Sequence, residues 1–120
     1  MNSQLSADAR DLLAAFDRTE TMIFAQGTTE LHDENGTCFC PLAAIFMAGN
    51  DGYRPVDWCQ IEVFIEGEFG LEPSLIIPDK IASEYDAIRP ETDSAWSYRR
   101  ISRATAREAF ITALENVLPL

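Results

Sequence analysis

The sequence predicts a mainly α fold, about five helices packed around an apolar central helix, with one short β-hairpin. Three observations carry that expectation. Residues 41–48 run PLAAIFMA without a single charge, and a helix that is apolar all round belongs inside a fold. Apolar residues recur at helical spacing in several other segments. Asn35-Gly36 sits between strand-like flanks, a short-range hairpin signal.

The first helix is expected from Ser6 to about residue 25. Ser6 is a suitable N-cap, Asp8 and Asp11 lie near the positive end of the helix dipole, and no Gly or Pro intervenes before Gly27. Leu12, Leu13, Phe16, Ile23 and Phe24 line one face of such a helix. Residues 28–40 then read as the hairpin, with Asp33-Glu34-Asn35-Gly36 at its tip. A lone hairpin is marginal in water, so it must pack on helices. Pro41 occupies a position where a first helical residue tolerates proline, and the apolar helix follows to Gly49.

Residues 57–69 fit two periods. Cys59, Ile61, Val63 and Ile65 alternate like a strand, while Trp58, Ile61, Ile65 and Phe69 make a helical face. The boundaries arbitrate for helix: Asp57 with Gln60 forms a capping-box pattern, and Gly70-Leu71 fits a Schellman ending. Pro78 opens a further helix to about residue 88, with Ile81, Tyr85 and Ile88 on one face. A loop over 89–97 follows. The last helix, from Ser102 or Thr105 to Leu118, carries the stripe Phe110, Ile111, Leu114, Val117 and Leu118.

All of this amounts to a single domain over residues 1–120. With 47% hydrophobic residues there is material for a core, which excludes the disordered class. The three cysteines are too few for a disulfide scaffold and are read as reduced. The N-terminus lacks the basic start and apolar stretch of a signal peptide, so the expected compartment is the cytoplasm. No segment reaches the roughly 18 apolar residues of a membrane span.

The formal net charge of −11 disfavours nucleic-acid phosphates and anionic membranes as partners and suits the basic surface of another protein. The charge is polarised. Residues 1–98 hold 18 acids against 5 basic residues, whereas residues 99–120 hold 4 arginines against 2 acids. In a helix Arg99, Arg103 and Arg107 would form a stripe, either a docking strip for an acidic group or an internal neutraliser of the acidic body. Asp57, Glu62, Glu66, Glu68 and Glu72 form the candidate acidic patch; the bland alternative is a solvated helix face.

Catalytic and metal chemistry find little support. His32, Cys38, Cys40 and Cys59 are zinc-ligand residue types, but Cys-x-Cys is the wrong spacing and no second pair follows. Cys40, at a helix N-terminus with His32 nearby in sequence, could make a nucleophile, yet no glycine-rich turn supplies an oxyanion hole. The expectation is therefore no enzyme, no cofactor and no metal.

Phe24-Ala25-Gln26-Gly27, the Asp33–Gly36 tip and Cys40-Pro41-Leu42-Ala43-Ala44-Ile45, about 25 residues in all, resemble small uncharacterised actinobacterial and phage proteins. Those proteins have a helix, a short hairpin and a Cys-x-Leu-Gly-Ala-Leu-like helix start; Ala43 stands where they usually have Gly. The resemblance implies a mobile-element origin and no particular activity. The functional expectation is a non-enzymatic acidic binding module, an inhibitor of a host defence or nucleic-acid-binding complex. The alternatives are a small Cys/His-dependent enzyme or metal protein, and a homo-oligomer joined through the apolar helix or through Trp58, Phe64 and Phe69.

Overall fold

The computed structural model describes residues 5–71, 76–89 and 98–119. In chain order the elements are α1 (Ala7–Asp17), β1 (Ile23–Gln26), β2 (Glu30–Asp33), β3 (Gly36–Phe39), α2 (Pro41–Ala48), α3 (Trp58–Phe69), α4 (Ile76–Ala87), β4 (Arg99–Ser102) and α5 (Arg103–Val117). The four strands form one mixed sheet in the order β2-β3-β1-β4. This corrects the expectation of a mainly α fold with a lone hairpin: the chain is α+β, with five helices and one four-stranded mixed sheet among the described residues.

The correction has two physical sources. The first helix ends at Asp17, eight residues earlier than its apolar spacing implies. Thr19 closes it, its backbone N–H and its hydroxyl both donating to the Phe16 carbonyl at 3.0 and 2.8 Å. Ile23 and Phe24, in phase with the helix, instead enter β1, which is paired on both edges. Phe24 lies opposite Phe39 of parallel β3 and opposite Ile101 of antiparallel β4. Phe24, Ala25 and Gln26 are buried in succession, and a short run buried on both faces is one that periodicity cannot separate from helix. The second source is β4, whose Arg99-Arg100-Ile101-Ser102 carries three polar residues and no strand signal of its own.

The hairpin forms with Asp33 paired to Gly36. Glu34 and Asn35 make the loop, the Asn35 N–H donates to Asp33 Oδ1 at 2.7 Å, and Gly36 takes the positive φ of 106° that the turn needs. Its strands join a sheet rather than only packing on helices. Arg100 of β4 donates to both Asp33 carboxylate oxygens, at 2.5 and 2.7 Å, so the two edge strands are tied together.

The core lies between sheet and helices. Phe16 of α1 stacks on Phe24 of β1 and on Phe110 of α5, with ring centroids 5.0 and 5.4 Å apart. Pro41 to Phe46 of α2 are all buried, as an uncharged helix should be. α3 starts at the Asp57 cap, whose side chain accepts from the Gln60 N–H at 3.0 Å. It ends at Gly70 with φ 65°, where the Leu71 N–H returns to the Glu66 carbonyl. α3 is seated by Phe64, edge-on to Phe46 and directly against Gly49, where a Cβ would meet the Phe64 ring at 2.6 Å.

A candidate partner-binding face on α3 and α4

The acids singled out from the sequence lie mostly on α3, but they do not share one solvated face. Ile61, Ile65 and Glu66 are buried, and Trp58 and Phe69 pack beside them on the core. Asp57 is exposed and engaged as the cap. Glu62 is half-buried toward α4, and Glu68 is exposed on the opposite flank. Glu66 is only 5% exposed, so it is not part of a solvated acidic face; its Oε2 is buried with no hydrogen-bond partner. Glu72 falls outside the described residues. The reason is the width of the inward arc: Trp58, Ile61, Ile65 and Phe69 take α3 onto the core, and the i,i+4 pair Glu62 and Glu66 lies at its α4 edge.

There the structure adds Asp79, which the sequence did not single out. The Trp58 indole N–H donates to Asp79 Oδ1 on α4, and the Asp79 carboxyl is also within hydrogen-bonding reach of Glu62. Burial first, then the charge of Asp79 and its hydrogen bond, and last the charge of Glu66, push the Glu62 carboxyl above its ordinary value. In the sequence Asp79 reads only as a first-turn acid of its own helix; its contact with Trp58 arises when α4 packs on α3. Among the described residues no cation pairs with Glu62, Glu66 or Glu68, and α3 contains no Lys or Arg.

The arginines do not form the helical stripe. Arg99 lies on β4 and Arg103 opens α5, so the change from strand to helix separates them. Each is engaged within the fold. Arg99 Nε donates to Gln26 Oε1 at 2.6 Å. Arg103 donates to Thr19 Oγ1, the Thr21 carbonyl and the Phe16 carbonyl while stacking on the Phe16 ring. Arg107 makes a two-bond pair with Asp17 at 2.7 and 2.9 Å, which holds the Asp17 carboxyl below its usual range. Arg107 thus meets a carboxylate within the fold, whereas the bonds of Arg103 go to neutral oxygens.

The Cys/His constellation is dispersed. Cys38 and Cys40 are buried, Cys59 is exposed on α3, and His32 is exposed on edge strand β2 against Glu30 and Thr37. Burial pushes the Cys40 thiol up to about 12. Among the described residues no three His, Cys, Asp or Glu side chains are grouped to hold a metal ion. Trp58, Phe64 and Phe69 are partly buried against the core, and α2 is buried from Pro41 to Phe46. Among the described residues no helix is long and apolar enough to cross a membrane.

A second polar cluster joins β1 to the end of α4. Buried Gln26 donates to the carbonyls of Tyr85 and Ile88 at 2.7 and 2.5 Å, and the Tyr85 hydroxyl donates to the Ala25 carbonyl at 2.9 Å. The Gly27 N–H donates to Asp86 Oδ1 at 2.9 Å. All of these bonds satisfy main-chain groups at a helix end or a strand end, a structural use.

Comparison with known proteins leaves the geometry to speak for itself: no protein-family model, no curated protein and no solved structure matches the chain.

Proposed function

We propose that the chain is a non-enzymatic binding module whose acidic α3–α4 face receives the basic surface of another protein. One observation carries this reading: Glu62, Glu66 and Glu68 have no cationic partner among the described residues, while Arg99, Arg103 and Arg107 are engaged on other elements. Unbalanced carboxylates on the two flanks of α3, Glu62 beside Asp79 and Glu68 opposite, set up a field that attracts a basic partner and repels nucleic acid. In the fullest form of the reading the protein is carried by a phage or mobile element. It acts in the host cytoplasm as an inhibitor of a defence or nucleic-acid-binding complex, its carboxylates standing in for phosphates. The resemblance in the first half of the chain supports that origin.

The test is capture of partners from the natural host at several salt concentrations. The wild-type protein retains a basic partner at low salt and loses it as salt rises. The reversal E62K/E68K loses the partner, whereas D11K/E20K, an equal reversal on the exposed surface of α1 and its following loop, keeps it. A partner whose capture and salt slope are the same in all three proteins overturns the electrostatic reading. Glu66 is left unaltered because a buried lysine there would damage the fold.

A further inference from the structure

The outward side of α3 carries a second pattern, independent of charge. Val56 is 84% exposed and Val63 58% exposed, unusual for valines one helical turn from a core. Cys59, also exposed, lies between them. Cys59, Val63 and Gly67 follow at i, i+4 and i+8, so they fall in one row along the helix. Val56 is drawn to the head of that row, its N–H donating to Gln60 Oε1 at 2.6 Å. It occupies the position that normally folds back onto the fourth helical residue, here Ile61, but it remains in solvent. At the far end, a Cβ on Gly67 would meet nothing within 4 Å, so the approach is open.

Toward α4 this row is bordered by the half-buried Glu62 and the exposed Asp79, and on its other side by the exposed Gln60. We propose that its occupant is an amphipathic helix of the partner, laid along α3 with apolar residues on Val56, Cys59 and Val63 and with Lys or Arg along its α4 side, against Glu62 and Asp79. The inference rests on the reading of the acidic face given above and adds what kind of surface the basic partner presents. Charge complementarity selects this occupant. A second copy of the chain would bring the same carboxylates against these, and nucleic acid would bring phosphates. Apolar anchors one turn apart are what a helix laid in a groove supplies, and the row spans about 16 Å, three turns.

The probe is a synthetic peptide of about twenty residues with leucines at helical i, i+3, i+4 spacing and lysines on the other face, compared with a scrambled isomer of the same composition. Affinity is read by fluorescence anisotropy, and Cys59, inside the row, reports position through its alkylation rate. The expected result is at least tenfold tighter binding of the amphipathic isomer and at least tenfold slower Cys59 alkylation on saturation. V63D and V56D, both at exposed positions, each abolish the preference between isomers, and circular dichroism confirms that they fold. If both isomers bind equally and E62K/E68K weakens both, the helix is wrong while the electrostatic reading stands. If neither isomer binds, both readings fail for this face. Tight binding that leaves Cys59 alkylation unchanged overturns the placement, and concentration-dependent dimerisation abolished by V63D assigns the row to a second copy instead.

Discussion

The guanidinium of Arg103 lies 5.0 Å from the centre of the Phe16 ring and donates a hydrogen bond to the Phe16 carbonyl 2.9 Å away. The same side chain reaches the Thr21 carbonyl at 2.8 Å, so one residue at the start of α5 holds both the end of α1 and the turn into β1. A planar fork can stack and donate to several acceptors at once; an ammonium cannot. R103M is expected to lower stability by about 2–3 kcal/mol, the range for lost charged hydrogen bonds and a cation–π contact. R103K is expected to recover less than half of that. Urea denaturation measures both, and an R103M protein as stable as wild type would return Arg103 to the surface strip.

Gln26 is a fully buried polar residue in the central strand, yet its amide satisfies two carbonyls at the end of α4 and its oxygen receives Arg99. Q26L keeps the volume and removes all three bonds, leaving buried acceptors unpaired. The expected cost is about 2–4 kcal/mol. Y85F, which loses only the hydroxyl bond to the Ala25 carbonyl, is expected to cost about 1 kcal/mol. Hydrogen exchange at the end of α4 should quicken more in Q26L than in Y85F. Equal protection in the two proteins would deny Gln26 its role as the cap of α4.

The local signals in this sequence were legible and the distant ones were not. Asp57, Gln60, Gly70 and Leu71 lie within a turn of the helix end they define, and α3 begins and ends there. Pro41 likewise marks the start of α2, and Ser102 caps α5. β1 was lost because its partners lie on β3 and on β4, the latter some 75 residues away, while Ile23 and Phe24 happen to be in phase with α1. The candidate face shows the same division. The inward side of α3, Trp58, Ile61, Ile65 and Phe69, is legible from its period, and Glu62 and Glu66 are visible as a pair, but the contact of Asp79 with Trp58 depends on how α4 packs on α3. The arginine stripe failed at Ser102, where a strand gives way to the helix that the spacing assumed throughout.

Glu62 gives the stability curve a definite sign. Its carboxyl is raised in the folded protein by burial and by Asp79, and Glu66 and the Trp58 indole on Asp79 complete the surroundings. The folded state therefore holds a proton that the unfolded chain releases, and stability falls as pH rises from the ordinary carboxyl value, about 4.3, through the raised one. E62Q removes that slope, so it is expected to be at least as stable as wild type at pH 7 and to show no advantage below pH 4. Asp17 has the opposite sign: lowered by Arg107, it contributes stability above its ordinary value that is lost as pH falls. D17N should therefore lose stability at pH 7 and match wild type in acid. Urea midpoints from pH 3 to 8 separate the two, and parallel curves for E62Q and wild type would remove the Glu62–Asp79 contact from the account.

The three cysteines should divide into one reactive thiol and two silent ones. Cys59 is exposed on α3, whereas Cys38 and Cys40 are buried, and burial raises both of the latter. With Cys40 at about 12, its thiolate fraction at pH 7 is roughly 10⁻⁵, and its position at the start of α2 does not offset the loss of water around it. A colourless thiol reagent followed by mass spectrometry should modify one residue quickly in the native protein, at Cys59. C59S should show no fast thiol, and denaturant should then expose two. The measurement also bears on chemistry, because any nucleophilic or metal role built on Cys40 needs a thiolate that reagents can reach. A fast-reacting thiol surviving in C59S would contradict the buried state of Cys38 or Cys40 and place a reachable thiolate where the fold has none.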